Sequence, residues 1–271
     1  MKIIRVFPRR TNATPDDDLA YIGDPTLFAE ADKAMVSCTF TWDKPEAERL
    51  AEAWKVIAPV ELGGPAYGDP GGEFTPGLFL KNGYTITSRG CNNKCWFCYV
   101  WRRSGELREL EIKDGWIVTD DNLLGCSEQH IRNVFKMLKR QPEKAKFTGG
   151  LEAKLIKEWH VELFADLKPN CLFFAYDTAD DYEPLMEAMK LFYKSDYNGY
   201  RKLLCYVLVG YPHDTFEKAE QRLKSVMDLQ MTPYAMLYRD EKGLTTRAWR
   251  MFQRSWVRPA AIRANKRFEV V

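Results

Sequence analysis

The sequence predicts an α/β protein in which repeated β-α units form a parallel sheet that curls into an open or partial barrel. Segments of strand type alternate with segments of helical periodicity between residues 83 and 257. Leu203–Val209 is a continuous apolar run, which is typical of a parallel strand buried on both faces. Because crossovers between parallel strands are right-handed, such units build one sheet. We expect residues 81–271 to form this barrel and residues 1–80 to form a small α/β appendage with a linker.

The first 80 residues contain two strand candidates, Met1–Phe7 and Ala34–Phe40. Asp43-Lys-Pro-Glu46 fits a capping box, and the segment after it places its apolar residues on one helical face. Val60–Pro65 has the pattern of a strand that ends in a glycine pair. Glycine and proline are concentrated in residues 66–80, which therefore predict a linker or lid.

Strand and helix candidates alternate in the rest of the chain. The predicted strands are Gly83–Ser88, Ala145–Thr148, Cys171–Tyr176, Leu203–Val209 and Tyr234–Tyr238. The predicted helices begin at Ser127, near Glu152, at Glu183, at the capping box Asp214–Glu217 and at Thr245. Residues 99–126 have the pattern of one long connection. The first of these strands leads into a cysteine-rich loop at its C-terminal end, where functional sites of α/β folds lie.

Composition and charge narrow the class of protein. The 271 residues include 40 basic and 38 acidic side chains, and the net charge of +2 excludes a nucleic-acid-binding polyelectrolyte. No apolar run approaches the roughly 18 residues that a membrane span requires, and the N-terminus lacks the apolar core of a signal peptide. The seven cysteines are scattered apart from one triplet. This usage indicates a reducing, cytoplasmic location rather than a disulfide framework.

Cys91, Cys95 and Cys98 form that triplet, with the spacing CxxxCxxC. Cysteine sulfur is the ligand that soft metals and iron–sulfur clusters select. Three interpretations account for a missing fourth ligand. A distant residue completes a structural zinc site, the thiols are unrelated core cysteines, or a cluster leaves one iron open for a small molecule. We favour the third, because all three thiols lie in one short glycine-led loop.

The run Cys91-Asn-Asn-Lys-Cys95-Trp-Phe97-Cys98 resembles the CxxxCx-aromatic-C signature of radical S-adenosylmethionine (SAM) enzymes. The resemblance implies a TIM-like partial (β/α)6 barrel, a 4Fe-4S cluster held by the three cysteines, and SAM bound to the open iron. In this family, one-electron reduction cleaves SAM to a 5′-deoxyadenosyl radical, which abstracts a hydrogen atom from the substrate. The resemblance also implies an external electron donor similar to flavodoxin or ferredoxin.

Further residues at strand ends acquire SAM-binding roles through this resemblance. Those implied are Gly149, Gly150 and Glu152 for the SAM amino group, Asp177 and Thr178 for its ribose or carboxylate, and Phe97, Gly210 and Tyr211 for its adenine. The glycines suit close approach of the backbone to a ligand. Without the resemblance, these segments fit a strand-to-helix turn, a helix cap and a tyrosine packed at a barrel mouth.

Val60–Pro65 faintly resembles the end of the Rossmann-like cobalamin domain that precedes the barrel in many radical SAM enzymes. The common cobalamin motif, Asp-x-His-x-x-Gly, supplies a histidine to cobalt. The histidines of this chain are His130, His160 and His213, and none stands in that motif. We therefore expect a truncated appendage that does not bind cobalamin, and cobalamin binding without a histidine ligand is the alternative.

Arg247, Arg250, Arg254 and Arg258 recur every three or four residues and form one face of the last predicted helix. Trp249, Phe252 and Trp256 occupy another face, and basic residues beside aromatics can bind phosphate backbones and stack bases. The alternative is a helix that packs through its aromatic face and is solvated on its charged face.

The sequence identifies no catalytic side chain. Cys126, beside Gly125 at a helix start, is a candidate functional thiol, and a core or turn position is the alternative. The leading hypothesis is a radical SAM enzyme with an unidentified substrate. One rival is methylation or methylthiolation of RNA, because the Ser88-Arg-Gly-Cys91 opening bears some likeness to such enzymes. A rival of another class is a zinc-stabilised nucleic-acid-binding protein.

Overall fold

The computed structural model describes residues 1–199, 202–257 and 262. The chain divides into two compact units, Met1–Asp121 and Asn122–Val271, so the predicted boundary after residue 80 falls inside the first unit. The elements of this first unit are β1 (Ile3–Phe7), β2 (Ala20–Ile22), β3 (Lys33–Ser37), α1 (Lys44–Trp54), β4 (Val60–Gly63), β5 (Tyr84–Thr85), β6 (Ser88–Arg89), α2 (Val100–Ser104), β7 (Arg108–Glu109) and β8 (Ile117–Val118).

A parallel sheet with the strand order β2-β1-β3-β4 forms the core of the first unit. Ile4, Val6 and Val36 of this sheet are buried, and α1 packs on it through Leu50 and Trp54. The Trp54 indole N–H donates to the carbonyl of Gly23 at 3.0 Å. The apolar stripe predicted for α1 is therefore the face that covers the sheet.

Asp43 precedes α1 as predicted, but its side chain makes no capping hydrogen bond. Its buried carboxylate instead forms an ion pair with Arg9. Pro45 lies in the first turn of α1, where its fixed φ favours helix initiation. Tertiary charge pairing has thus replaced the local cap that the sequence suggests.

The single strand predicted over Gly83–Ser88 is divided into β5 and β6. β5 pairs in parallel with β8, whereas β6 pairs antiparallel with β7. The break occurs because the backbone N–H of Thr87 donates to the carboxylate of Asp120 at 2.6 Å instead of to another strand. The predicted connection over residues 99–126 contains α2, β7 and β8, which are too short to produce a periodic pattern.

The second unit alternates helices with parallel strands, as predicted. Its elements are α3 (Glu128–Lys139), β9 (Lys146–Leu151), α4 (Glu158–Leu167), β10 (Cys171–Tyr176), α5 (Tyr182–Lys194), β11 (Leu203–Val209), α6 (Phe216–Asp228), β12 (Thr232–Leu237) and α7 (Arg247–Ser255). The strands follow one another in the order β12-β11-β10-β9. The α/β class with parallel sheets is confirmed, and the partial barrel stays a prediction.

Five phenylalanine rings form the centre of the second unit. They are Phe135 of α3, Phe147 of β9, Phe164 of α4, Phe174 of β10 and Phe192 of α5, all buried. The ring centroids of Phe135 and Phe164 are 5.1 Å apart, and those of Phe147 and Phe164 are 5.2 Å apart in an edge-on arrangement. Such pairs contribute about 0.5–1.5 kcal/mol beyond area burial, so this cluster fixes β9 and β10 against three helices.

Two helix starts differ from the sequence prediction. The N-cap of α6 is Thr215, whose side chain accepts from the N–H of Lys218, and not Asp214. The helix predicted near Glu152 begins only at Glu158, after a short 3-10 turn over Ala153–Leu155. Among the helices that the structure describes, none is long and apolar enough to cross a membrane.

Candidate cofactor site

The cysteine loop, residues 90–99, joins β6 to α2. Cys91, Cys95 and Cys98 are each partly exposed, and all seven cysteines of the chain carry thiol groups. The N–H of Cys98 donates to the carbonyl of Cys95 at 3.1 Å, and the N–H of Asn93 donates to Cys91 Sγ at 3.4 Å.

The donor chemistry of this loop fits an iron–sulfur cluster, since it presents three soft, partly exposed thiols on one short segment. Within residues 1–199, 202–257 and 262, no group of three or more His, Cys, Asp or Glu side chains is placed to hold a metal ion. The assignment of the three cysteines as ligands therefore rests on spacing and donor type, and it stays a prediction.

The start of the cysteine loop is fixed by contacts with the backbone that follows α2. The N–H of Cys91 donates to the carbonyl of Gly105 at 3.1 Å. Gly90 has φ +82°, and a Cβ atom at this position would lie 2.2 Å from the carbonyl oxygen of Glu106. Only glycine fits here, because any side chain would both strain the backbone and collide with the returning chain.

Two adjacent aspartates after β8 hold the segment that leads into the loop. Asp120 is buried and accepts from Thr87 N at 2.6 Å, Thr87 Oγ1 at 2.6 Å and Ser88 Oγ at 2.9 Å. Asp121 accepts from the N–H of Gly90 at 2.9 Å and lies 3.6 Å from the guanidinium of Arg103 in α2. Asp121 thus contacts both the segment before Cys91 and the helix after Cys98.

Burial raises the pKa of Asp120, and the hydrogen bonds from Thr87 and Ser88 oppose that rise. Sequence reasoning missed this pair, although a signal was present. The order Ile117-Val-Thr-Asp-Asp121 places two carboxylates directly after an apolar segment, which is the usual place of polar site residues in α/β proteins.

Aromatic side chains flank the last two cysteines. Trp96 is exposed and its ring packs edge-on against Phe97, with centroids 5.3 Å apart. The indole N–H of Trp101 donates to the carbonyl of Cys95 at 2.9 Å, so α2 anchors the middle of the loop. Phe97 is partly buried, and its predicted contact with adenine remains a prediction.

Gly149 and Gly150 lie inside β9 and not in a turn after it. Leu172 of β10 pairs with Phe147 and Phe174 pairs with Leu151, so Thr148, Gly149 and Gly150 together stand opposite Phe173. This is a β-bulge, a device found beside functional sites. Gly150 has φ +86°, and no atom lies within 4 Å of the place where a Cβ atom would stand. Gly149 is exposed, so the backbone is accessible here.

Glu152, which follows the glycine pair, is already engaged by protein groups. Its carboxylate accepts from Asn122 Nδ2 at 2.6 Å and forms an ion pair with Lys154 at 2.7 Å. Its side chain is only 16% exposed. Each carboxylate oxygen has one of these partners and retains a second lone pair, and binding of a ligand amino group stays a prediction.

Asp177 and Thr178 follow β10, and both of their backbone N–H groups donate to the carboxylate of Asp181, at 3.0 and 2.7 Å. The predicted cap is therefore at Thr178, which is the N-cap of the 3-10 turn Ala179–Asp181, and not at Asp177. Burial and the neighbouring Asp181 carboxylate raise the pKa of Asp177 to about 7, against the effects of the Leu208 backbone and Arg222. Asp177 can therefore donate a hydrogen bond near neutral pH.

The raised pKa predicts how stability depends on pH. A carboxyl group whose pKa is about 7 when folded, against 3.8 ordinarily, stabilises the fold fully below about pH 4 and loses that contribution as pH rises through 7. Relative to that of Asp177→Asn, the free energy of unfolding of the wild type should fall by up to about 4 kcal/mol between pH 4 and 7 and stay constant above pH 7. Urea unfolding of both proteins from pH 4 to 8 measures this difference, and parallel profiles would contradict it.

Gly210 and Tyr211, at the end of β11, are held by protein contacts. The N–H of Gly210 donates to the buried carboxylate of Asp214 at 2.8 Å. A Cβ on Gly210, which has φ +75°, would lie 2.9 Å from the ring of Trp249. The guanidinium of Arg222 stands 5.1 Å from the centroid of the Tyr211 ring. Packing against Trp249 thus accounts for the glycine, and adenine binding stays a prediction.

Helix α7 presents its arginines to solvent and its aromatic rings to the protein. Arg247, Arg250 and Arg254 are exposed. The rings of Trp249 and Phe252 pack against the ring of Phe216 in α6, with centroids 4.3 and 5.4 Å away. Arg258 lies outside the described residues. This arrangement matches the alternative of a helix packed through its aromatic face, and nucleic-acid binding stays a prediction.

Of the remaining cysteines, Cys126 is partly exposed at the end of the 3-10 turn before α3. Burial raises the pKa of Cys171 and Cys205, in β10 and β11, and raises that of Cys38 to about 11. These three thiols stay protonated at neutral pH and are poor nucleophiles. Cys126 remains the candidate functional thiol outside the cysteine loop.

Comparison with known proteins shows the fold but not the function. No protein-family model matches the sequence, and no curated protein matches it significantly. Among solved structures, the chain is similar to TsrM from Kitasatospora setae, a radical SAM methyltransferase with cobalamin and a [4Fe-4S] cluster bound. The TM-score is 0.60 at 12% identity, over 87% of this chain and 74% of that chain.

The chain has a radical SAM-like α/β fold. The likeness lies far below the identity at which function transfers, so it supports the predicted fold and leaves the reaction open. The expectation that this chain does not bind cobalamin gains no support, because the similar structure holds cobalamin. The cysteine loop belongs to the first unit, and the predicted SAM contacts in β9, β10 and β11 belong to the second.

Proposed function

We propose that this protein is a radical SAM enzyme. The carrying observation is the CxxxCx-aromatic-C loop in a chain whose fold resembles that of a radical SAM methyltransferase with a TM-score of 0.60. Cys91, Cys95 and Cys98 would hold a 4Fe-4S cluster, and a reduced cluster supplies the electron that cleaves SAM to a 5′-deoxyadenosyl radical. The substrate that yields a hydrogen atom to this radical is not identified by the fold.

In this proposal, the side chains around the cysteine loop hold the three cysteines in position. Asp120 and Asp121 fix the segment before Cys91, and Asp121 also holds α2 through Arg103. The bonds from Asn93 and Trp101 shape the interior of the loop. Three thiolates held in this way would leave one cluster position for SAM, as catalytic metal sites keep an open coordination position.

The glycine bulge in β9 would bind SAM through its backbone. Gly149 is exposed, and Gly150 has open space where a side chain would stand. Backbone carbonyl groups there can accept from an ammonium group without interference from a Cβ atom. The electron would come from a flavodoxin-like or ferredoxin-like partner.

Gly150→Ala should weaken SAM binding by about tenfold or more, because the added methyl group fills the space beside the backbone. The positive φ adds a stability cost of about 1–2 kcal/mol. Gly23→Ala is the matched control, since Gly23 has φ +84° and is equally free of neighbours. SAM titration of both anaerobically reconstituted variants checks this. Equal SAM affinities in the two variants would contradict a role for the bulge.

A second candidate is cobalamin-dependent methyl transfer. It is favoured by the cobalamin in the structurally similar methyltransferase and by the parallel N-terminal sheet of this chain, whose strands β3 and β4 end at Ser37 and Gly63. Gel filtration after incubation with hydroxocobalamin tests it. Corrin absorbance that elutes with the protein supports this candidate. Absence of corrin absorbance contradicts cobalamin-dependent methyl transfer and does not affect the radical SAM proposal.

Anaerobic reconstitution with iron and sulfide tests the proposed function. We expect about four iron and four sulfide ions per chain in a brown protein, and 5′-deoxyadenosine after addition of SAM and dithionite. A colourless protein that retains zinc through the same treatment would instead support the zinc-stabilised alternative. Methylation or methylthiolation of RNA remains a narrower hypothesis within the enzyme class.

A further inference from the structure

A cavity of about 450 Å³ lies within the first unit, beside the cysteine loop. Its volume falls in the range of small-molecule sites, about 300–1,000 Å³. Part of its lining is apolar and includes Phe74, Leu80 and Ile86, which pack together. The lining also includes Arg89 and Arg103. The cavity therefore offers an apolar surface and a cationic surface to one occupant.

Among the residues that line the cavity, Arg89 is unusual. It is half-buried, and its guanidinium makes no hydrogen bond or ion pair with any residue that the structure describes. Gly71 closes over it, since a Cβ there would lie 3.0 Å from Arg89 Nε. Burying part of a guanidinium without a hydrogen-bond acceptor is costly to a protein, so a function for Arg89 is expected.

The arginines nearest to Arg89 do have partners. Arg103 pairs with Asp121, and Arg108 donates to the carbonyl groups of Ser104 and Pro70, at 2.7 and 2.8 Å. Among these three arginines, Arg89 is the one left without a hydrogen-bond acceptor in the part of the chain that the structure describes. Its guanidinium can therefore bind an additional anion.

Four acidic residues line the cavity. Asp121 is largely buried and pairs with Arg103, whereas the other three are exposed and engaged elsewhere. Glu61 pairs with Lys33 at 2.5 Å, Asp69 accepts from the N–H of Gly71 at 2.8 Å, and Glu73 accepts from the N–H of Glu111 at 3.1 Å. Their charges are partly screened by solvent, so they do not cancel the field of the guanidinium within the cavity.

We infer that this cavity binds a small organic anion, with its carboxylate or phosphate group on the Arg89 guanidinium and its apolar part against Phe74, Leu80 and Ile86. A planar guanidinium binds such groups through two parallel hydrogen bonds. Binding requires neither a cluster nor SAM, so the inference stands independently of the proposed function. If that function is correct, the anion is a candidate substrate or part of a second cofactor.

The test uses the full-length chain without reconstitution and two probes, benzoate and the neutral benzamide. We expect benzoate to bind more tightly than benzamide by about tenfold, and Arg89→Gln to abolish the difference. Arg102→Gln is the matched control, because Arg102 is exposed and does not line the cavity. Isothermal titration gives the affinities, and thermal unfolding verifies that each variant is folded.

Three results would overturn the inference: no binding of benzoate, equal binding of the two probes, or an equal affinity for benzoate in Arg89→Gln and the wild type. Arg89→Lys keeps the positive charge and should therefore retain part of the preference for benzoate over benzamide. This variant distinguishes loss of the charge from a general disturbance of the fold. Competition with hydroxocobalamin distinguishes an anion that belongs to a substrate from one that belongs to a second cofactor. Displacement of benzoate indicates a cofactor phosphate, and simultaneous binding indicates a substrate carboxylate or phosphate.

Discussion

Cys95→Ala should abolish cluster assembly and all SAM cleavage, since two thiolates cannot hold the cluster at the remaining ligand positions. Iron in the reconstituted protein is expected to fall from about four ions per chain to background, with loss of the brown colour. The same result is expected for Cys91→Ala and Cys98→Ala, because the three cysteines act as one ligand set.

The matched control for these variants is Cys171→Ala. Cys171 lies in β10, and burial raises the pKa of its thiol, so it is not expected to be a ligand. The Cys171 variant should reconstitute to the same iron content as the wild type. Retention of iron and sulfide by Cys95→Ala would show that the CxxxCxxC spacing has been misinterpreted.

Asp120→Ala should destabilise the first unit by about 3 kcal/mol or more, because it leaves three buried donors of Thr87 and Ser88 without an acceptor. Thr87 and Ser88 are fully buried, and Asp120 is 3% exposed. Water therefore cannot replace the lost carboxylate. Urea unfolding of the chain before reconstitution measures the loss without reference to any cofactor.

Asp120→Asn separates the hydrogen bonds from the bulk of the side chain. Its amide oxygen can still accept from Thr87 N, so its loss of stability should be less than half that of the alanine variant. The alanine variant should also take up iron less completely, since Thr87 and Ser88 lead directly into the loop. An unchanged unfolding midpoint for Asp120→Ala would contradict this account of the loop.

The regular elements were the most predictable part of the chain. Helix α3, with Ser127 as N-cap, and strands β10 and β11 occupy the predicted positions, because long segments produce clear periodicity. Strands of two or three residues, such as β2, β7 and β8, carry no pattern of their own. They exist because tertiary contacts supply their partners.

The sequence alone indicates the candidate cysteines, but it does not reveal the contacts that hold their loop. The spacing of Cys91, Cys95 and Cys98 is visible in the sequence, whereas the hydrogen bonds that Asp120 and Asp121 accept join residues about 30 positions apart. The glycine pair was expected at the end of a strand, and the structure places it in a bulge inside β9. Arg89 is inconspicuous in the sequence, and it stands out in three dimensions because it has no ion-pair partner among the described residues.

The most direct test of the central claim is the release of 5′-deoxyadenosine from SAM. Anaerobically reconstituted, dithionite-reduced wild type should form it, and the triple variant with alanine at Cys91, Cys95 and Cys98 should form none. A wild-type protein that contains about four iron and four sulfide ions per chain but releases no 5′-deoxyadenosine would contradict the radical SAM proposal.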